Sequence, residues 1–403
     1  MMDSERRWSG PLIVIAAGCA ISLIGFGSRG SFGLFLEPMT VARGWSRETF
    51  ALALAFQNLL WGIGLPIAGA IADRRGAVGV IAAGTLLFAA GTASMVFAES
   101  SLWLILTGGF LVGIGMAFSS FSIALAAMAK VVGPERRSFA LGIGTAAGSL
   151  GQVIFSPLIQ AAISTHGWEI ALFILAGSTL LMLPLAFTLP SGGPEQETEG
   201  PATGLRHALG EALTHRGYVL LTIGFFVCGF HVAFIVVHFP AYVRDLGLDP
   251  IVGAYALSIL GLFNIIGSFA AGLAGQRFSK RGSLCWIYAG RAVVIFALLM
   301  SPIAPATIYW FSAAMGLLWL STVPLTTGIV AQVFGLRYMA TLFGVVFLGH
   351  QLGSFTGVWL GGYLYDQTGS YDLMWQLGIG LSIFAALVHW PIDERPLARL
   401  QGA

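Results

Sequence analysis

An arginine stands in the middle of an apolar segment near the start of the chain. The stretch GFGSRGSFG, residues 25–33, places Arg29 inside a run that is otherwise apolar from Pro11 to Leu36. A central arginine costs about 2.5–3.5 kcal/mol on membrane-insertion scales, and no helical neighbour supplies an acid. A planar guanidinium binds a carboxylate through two parallel hydrogen bonds. We predict that Arg29 binds an anionic substrate; alternatively, it lies in an aqueous vestibule or binds backbone carbonyls.

Histidines form the second group of candidate residues. His350, followed by Gln351, stands in the middle of an apolar run, and His231 and His238 lie seven residues apart, on one helix face. His350 either carries a proton or positive charge beside a substrate, or makes an interhelical hydrogen bond worth about 1 kcal/mol. For His231 and His238 we expect the hydrogen bonds. No two histidines have the i, i+4 spacing of a helical metal site, so we predict no metal.

Acidic residues avoid the apolar runs. All 18 Asp and Glu residues fall in loops, tails or helix ends, and Glu37 is the nearest to the interior. Exporters of cationic drugs usually need a buried acid, because a positive charge in a low dielectric requires a partner. The sequence offers no obvious acid for that purpose.

A second arginine and several neutral polar residues also fall inside the runs. Arg291 lies about two turns from the end of its segment, within reach of snorkelling, so we expect a structural role. The neutral residues each suit helix–helix contacts, but together they could supply hydrogen bonds to a small anion. They are Gln57, Asn58, Ser119, Ser120, Ser122, Gln152, Asn264, Ser268, Thr322, Thr326 and Thr327, with Trp61, Phe118 and Phe121 as possible walls.

The composition indicates that membrane-spanning helices position these residues. Of the 403 residues, 57% are hydrophobic and 9% charged, and the mean hydropathy is +0.85. A spanning helix needs about 20 mostly apolar residues. We predict twelve spans, near residues 11–36, 49–72, 77–97, 102–129, 138–162, 168–189, 217–243, 252–275, 283–303, 307–331, 338–364 and 373–391.

The distribution of charge predicts the orientation. The net charge of +2 is too small to indicate a nucleic-acid partner. Most basic residues fall on the side that holds both termini, and only Arg43, Arg47 and Arg244 fall on the other. Basic loops are retained in the cytoplasm, so we expect both termini there. The first span lacks a cleavage site and is expected to be retained.

A polar segment divides the chain into two halves. Residues 190–204, PSGGPEQETEGPATG, have too little apolar surface to pack and predict a flexible linker. The following residues repeat leucines with helical spacing and predict a helix along the membrane surface. We therefore expect bundles at residues 1–189 and 217–403, joined by a cytoplasmic linker at 190–216.

Each half carries a similar loop after its second span. GAIADRRG (69–76) occurs in the first half and GLAGQRFSKRG (272–282) in the second. In each, a glycine precedes Asp73 or Gln276 by four residues, which we expect to permit close helix contact, and basic residues, among them Arg277, follow. Such a repeat is typical of alternating-access transporters.

The first loop resembles the G-x-x-x-D-R-x-G motif of the major facilitator superfamily. Gly69, Asp73, Arg74 and Gly76 match the motif, and the resemblance covers essentially the whole chain. It implies an all-α membrane protein of two pseudo-symmetric six-helix bundles, with the substrate between them near mid-membrane. Residues of these loops would then contribute to gating.

Two further segments narrow the resemblance. SFGLFLEPM (31–39) and GWSRETFALALAFQNLLWG (44–62) are similar to the bacterial relatives of monocarboxylate and oxalate/formate transporters. Those proteins hold a carboxylate with an arginine in span eight, and the oxalate exchangers add a lysine in span eleven. Here the corresponding residues are Ser268 and His350, so that site does not transfer directly.

Together these patterns predict a transporter rather than an enzyme. No phosphate-binding G-x-x-x-x-G-K-[ST] loop is present, so we expect neither ATP drive nor a cofactor. The predicted substrate is a small organic anion, a monocarboxylate or short dicarboxylate, carried by proton symport or anion exchange by a monomer in the bacterial inner membrane. The alternatives are an exporter of lipophilic drugs, with Arg29 in the gate, and a non-transporting receptor.

Overall fold

Helices form the parts of the chain that the computed structural model describes. It describes residues 10–131, 134–190, 204–335 and 338–397, without the side chains of residues 73, 129, 130, 134–140 and 340. Within these ranges, eleven helical stretches are long and apolar enough to cross a membrane. One of them, Leu141–Ala186, has 46 residues, about twice what a bilayer requires. It breaks at Gly167, whose φ is 85°, so it supplies two spans and the predicted twelve are confirmed.

We number the spans in chain order. Span 1 contains Pro11–Ser31, the 3₁₀ turn Phe32–Phe35 and Leu36–Arg43; span 2 is Arg47–Arg75; span 3 is Ala77–Ser94 with Met95–Phe97; span 4 contains Ser101–Leu104, the π-helical Ile105–Leu111, Val112–Phe118 and Phe121–Val131; spans 5 and 6 share Pro134–Leu180, and span 6 continues in Met182–Ala186.

The second half repeats this pattern. A short helix, Leu205–Thr214, precedes it, as the leucine spacing predicts, and residues 191–203 of the linker lie outside the described residues. Span 7 is Arg216–Asp245; span 8 is Pro250–Arg277; span 9 is Lys280–Met300; span 10 contains Pro305–Leu318 and Thr322–Phe334; span 11 is Met339–Thr368; span 12 is Asp372–His389.

Local sequence explains where the helices begin and end. Ser46 starts span 2 by accepting a hydrogen bond from the Thr49 amide, and Asp249 does the same for span 8, where Pro250 is the first helical residue. Gly44, with φ at 65°, ends span 1 in a left-handed conformation that glycine adopts without strain.

Span 10 is interrupted in the middle of the bundle. Pro324 stands in its second helix and cannot donate to the carbonyl of Leu320, against which its ring would clash in a continuous helix. The Leu320 carbonyl accepts from the Val323 amide at 3.0 Å, and the Leu320 amide donates to Oδ1 of Asn264 in span 8, also at 3.0 Å. The break therefore exposes backbone groups at the depth where a substrate site is expected.

The spans pack as two six-helix bundles. Across the bundle interface, span 2 packs against span 11, span 5 against span 8, and span 1 against span 7. We call the end that carries Arg75, Arg216 and Arg277 the linker face, and the end that carries Arg47 and Asp245 the opposite face. Any site between the bundles is therefore lined by residues of both halves.

Candidate functional site

A cavity of about 700 Å³ lies between the two bundles. Spans 1, 2, 4 and 5 line it from the first half, and spans 7, 8, 10 and 11 from the second. Near the linker face its wall is formed by Gly69, Ala72, Ala77, Pro190 and Thr341, which stand at helix ends. The cavity therefore extends to the linker face.

Arg29 lies in the wall of this cavity. It is half-buried, and its Nη2 donates a hydrogen bond to Asn58 Oδ1 at 3.3 Å. The guanidinium carbon lies 4.8 Å from the centre of the Trp61 ring, a cation–π distance. Among the described residues no carboxylate pairs with Arg29, and it is the one Lys, Arg, Asp or Glu in the described lining. Its charge is thus available to a ligand.

Two further hydrogen-bond donors in the lining have no acceptor. Gln152 Nε2 and Trp61 Nε1 are both buried and lack a partner within the described part of the chain. A buried donor without an acceptor costs about 1–3 kcal/mol. A ligand rich in acceptor atoms would satisfy these donors and the guanidinium together, and a carboxylate is such a group.

Asn264, by contrast, has a hydrogen-bond partner at both polar atoms of its side chain. Its Nδ2 donates to Ser149 Oγ of span 5 at 2.9 Å, and its Oδ1 accepts from the Leu320 amide and from Ser268 Oγ at 3.1 Å. The side chain therefore joins the two bundles and holds the interrupted span 10. It lines the cavity without an unpaired group.

Gln351 and His350 connect the bundles near Arg29. Gln351 Nε2 donates to the backbone carbonyl of Asn58 at 2.8 Å, which leaves Gln351 Oε1 as an acceptor. His350 Nδ1 lies 2.9 Å from that oxygen and must donate to it. The His350 ring also stacks on Phe347 and lines the cavity. His350 thus shares a hydrogen-bond network with the asparagine that Arg29 contacts.

Arg291 does not snorkel as the sequence led us to expect. Its side chain is fully buried and donates to the carbonyls of Leu318 and Trp319 at the break in span 10. It also contacts Cys228 Sγ at 3.5 Å. Because a helix C-terminus carries partial negative charge, these carbonyls compensate the guanidinium. A structural role for Arg291 stays a prediction, and it now rests on these contacts at span 10 rather than on snorkelling.

The bundles are joined at the opposite face. Arg47 of span 2 makes a bidentate ion pair with Asp245 of span 7, with both N–O distances at 2.6 Å, and donates to the Tyr371 hydroxyl at 3.0 Å. Asp366 accepts hydrogen bonds from the backbone amides of Arg47 and Glu48. We call these five residues the opposite-face latch.

Close backbone contact accompanies the latch. A Cβ built on Gly33 of span 1 would lie 2.1 Å from the Val236 carbonyl of span 7, so only glycine fits there. His238 lies beside the latch: its Nδ1 is 3.0 Å from the Tyr371 hydroxyl and its Nε2 is 2.8 Å from the Val358 carbonyl. His231 binds the Gly378 carbonyl at 2.9 Å. Both histidines therefore make the predicted interhelical hydrogen bonds.

Comparison with known proteins identifies the fold. Residues 18–358 match the family model of the Major Facilitator Superfamily. The chain belongs to the major facilitator superfamily. It is 26% identical over 377 residues to monocarboxylate transporter 13 of Rattus norvegicus, covering 90% of this chain and 84% of that protein. The uncharacterized MFS-type transporter YhjX of Escherichia coli is 22% identical over 340 residues, 84% of each chain.

A solved structure shows the same architecture. The crystal structure of a D-xylose-proton symporter superposes with a TM-score of 0.73 at 15% identity, covering 96% of this chain and 99% of that one. The protein is thus a multi-pass membrane transporter of the major facilitator type rather than an enzyme, and its substrate is a small molecule.

The residues of the superfamily motif make only some of the contacts that we expected. Arg74 is exposed and Gly76, with φ at 90°, ends span 2. Neither Gly69 nor Gly272 has a described atom within 4 Å of a built Cβ, so the close helix contact expected at these glycines is absent here. Gly69 lies instead in the wall of the cavity, which extends to this end of the bundles. The side chain of Asp73 lies outside the described residues.

The predicted polar residues divide into two groups. Arg29, Ser122, Gln152, Asn264 and His350 line the cavity. The others do not. Gln57, Asn58 and Gln351 are buried outside the lining, as are Thr322 and Thr326, while Thr327 and Ser268 bond within their own helices. Ser119, whose hydroxyl binds the Gly115 carbonyl, and Ser120 line a recess of about 20 Å³ beside Arg29.

Sequence reasoning missed two features. The first is a row of aromatic side chains, Phe225, Phe343 and Phe347, in the cavity wall. The second is the opposite-face latch, although Arg47 and Asp245 stand at span ends on the same side with opposite charges. That pairing of charges is the signal that could have indicated it.

Proposed function

We propose that this transporter carries a monocarboxylate by alternating access, with Arg29 binding the carboxylate. The observation that supports this most directly is the set of donors in the cavity: a guanidinium without an acidic partner, together with the unpaired Gln152 Nε2 and Trp61 Nε1. Ser122 and His350 would complete the contacts. The name of the rat relative, a monocarboxylate transporter, agrees with this chemistry.

The mode of transport forms the second part of the proposal. The cavity reaches the linker face while the latch joins the bundles at the other, which fits one end state of alternating access. Exposed Arg74, Arg75 and Arg277 at the linker face suggest that this face is cytoplasmic, in a bacterial inner membrane. The protein would act as a monomer by proton symport or anion exchange, with Gly69, Asp73, Arg74, Gly76 and Arg277 at the gate.

The test replaces Arg29. Arg29→Gln keeps a polar side chain but removes the charge and the fork geometry, and a hydrogen bond to a charged group is worth about 1.5–3 kcal/mol, or roughly tenfold to 150-fold in affinity. We expect carboxylate uptake into proteoliposomes to fall by at least about tenfold. Arg29→Lys should recover part of it.

The matched control is Arg206→Gln, on the exposed face of the helix before span 7. It should leave uptake unchanged. Equal uptake by Arg29→Gln and Arg206→Gln would contradict the proposal. Broad transport of neutral lipophilic compounds that tolerates Arg29→Gln would instead support a drug exporter, with Arg29 serving the gate.

A further inference from the structure

Five rings form a continuous surface in the cavity. Trp61 of span 2 meets Phe347 of span 11 edge-to-face, with the ring centres 5.5 Å apart. Phe347 stacks on His350 at 5.6 Å and lies 6.5 Å from Phe343. Phe225 of span 7 lies 4.8 Å from His350. All five side chains line the cavity, and we call them the aromatic wall.

The aromatic wall begins at the guanidinium. Arg29 lies over Trp61, the first ring of the row, so a charged group and a long apolar surface adjoin each other. Phe26 and Phe121, in edge-to-face contact at 4.8 Å, also line the cavity beside Arg29. A ligand whose carboxylate reaches Arg29 would therefore place its remaining atoms among aromatic rings.

From this juxtaposition we infer that the substrate is an aryl-bearing monocarboxylate. The inference rests on the proposed function and specifies its substrate. A ring attached to the carboxylate would bury apolar area and pack edge-to-face against the wall, whereas a two-carbon or three-carbon acid would leave the wall in contact with water. The ring is held by the wall and the carboxylate by Arg29.

The charge of the lining favours one carboxylate over two. Arg29 is the single charged side chain among the described lining residues. A second carboxylate would enter this largely apolar cavity without a cation, which is costly. The short dicarboxylates that the sequence also allowed therefore fit the cavity less well.

Three matched compounds test the inference on the purified full chain. Acetate supplies the carboxylate alone, phenylacetate supplies carboxylate and ring, and phenylacetamide supplies the ring with a neutral amide. We expect phenylacetate to bind with a dissociation constant lower than those of the other two by about tenfold or more, measured by isothermal titration calorimetry. Arg29→Gln should remove that advantage over phenylacetamide.

A substitution in the wall tests the ring contacts. Phe347→Leu should reduce the preference for phenylacetate over acetate by about threefold or more, with acetate affinity unchanged. The control is Phe269→Leu, because Phe269 is 71% exposed on the outer surface of span 8, away from the cavity. It should leave the preference intact.

The outcomes separate this inference from the proposed function. Equal, Arg29-dependent binding of acetate and phenylacetate would overturn the aryl specificity and leave the carboxylate site standing. Equal binding of phenylacetate and phenylacetamide, insensitive to Arg29→Gln, would overturn both. Absence of binding by all three compounds would also overturn both.

Discussion

The two arginines inside the membrane differ in how their charge is compensated. Arg291 donates through Nε and Nη2 to two carbonyls at the broken end of a helix, so protein groups compensate most of its charge, although its Nη1 has no partner among the described residues. Arg29 has one hydrogen bond, at 3.3 Å, and a tryptophan face. A buried or half-buried cation with few partners is destabilising, and such residues are retained where a ligand completes them. This contrast separates the structural arginine from the one we propose to bind substrate.

Gln152, like Arg29, should lower the stability of the ligand-free protein and raise its affinity for the ligand, by smaller amounts. Gln152→Leu removes a buried donor that has no described acceptor, so we expect the ligand-free protein to melt at an equal or higher temperature. If the amide binds the carboxylate, affinity should fall by roughly fivefold to tenfold. Differential scanning fluorimetry with and without ligand measures both quantities. Unchanged affinity would remove Gln152 from the site.

For Arg291 we expect the reverse, a loss of stability without a loss of affinity. Arg291→Leu leaves the carbonyls of Leu318 and Trp319 without their donor inside the bundle, and removal of one partner of a buried charged interaction costs about 3–5 kcal/mol. We expect a large drop in the melting temperature. Carboxylate affinity of the folded fraction should be unaffected, because Arg291 does not line the cavity. A variant that melts normally would contradict this role.

At the scale of the helices, the glycines at the bundle interface set how closely the halves meet. Gly33→Ala would place a methyl group 2.1 Å from the Val236 carbonyl, a distance that backbone atoms cannot relieve by a rotamer change. We expect the opposite face to open, with faster deuterium exchange at the ends of spans 1 and 7. Exchange measured by mass spectrometry reports the change.

The matched control is Gly177→Ala in span 6, where a built Cβ meets no described atom within 4 Å. That substitution should leave exchange at the opposite face unchanged. If Gly33→Ala exchanges as slowly as the control, the contact between spans 1 and 7 does not hold this face closed.

Hydrophobic runs predicted the spans, since each needs about 20 apolar residues whatever its partners. Span 3, for example, was expected at residues 77–97 and occupies Ala77–Ser94 with Met95–Phe97. The interruption of span 10 was missed, because Pro324 alone does not show whether neighbouring side chains replace the lost backbone bonds. The structure supplies that information through Asn264 and Arg291.

The candidate site was predictable only in part. A charge in an apolar run identified Arg29 as a candidate from one position of the sequence. The aromatic wall needs residues from three helices, and aromatic side chains in spans more often face lipid or packing partners. Arg47 and Asp245 are separated by 198 positions, so their opposite charges at span ends on the same side make a pair possible, but the sequence alone does not show that they meet. Such contacts depend on the arrangement of the bundles.

For the whole molecule, the two faces have different electrostatic roles. The linker face carries exposed basic residues around an open cavity, and the opposite face carries ion pairs between the bundles, including Glu37 with Arg244. A transporter that alternates must break the second set to open outward. We therefore expect the latch to contribute part of the free-energy difference between the two end states of the proposed cycle.

A double-mutant cycle measures that contribution. Arg47→Gln and Asp245→Asn each remove one side of the ion pair, which is largely buried on the arginine side, with 11% of that side chain exposed. We expect each to favour opening and the two to be non-additive by about 1 kcal/mol. Arg47→Gln should have the larger effect, because Arg47 also binds Tyr371 and lies over the Tyr365 ring.

A cysteine introduced by Val237→Cys, 4% exposed beside Gly33, reports the opening by its reaction with a membrane-impermeant maleimide. In intact cells, we expect the latch variants to label about fivefold faster, since our orientation places the opposite face outside. The controls are Asp393→Asn and Arg395→Gln, which remove the two sides of an exposed ion pair. They should leave the labelling rate of the cysteine unchanged. Faster labelling only in inside-out vesicles would reverse the orientation, and unchanged labelling in both would show that the latch does not control opening.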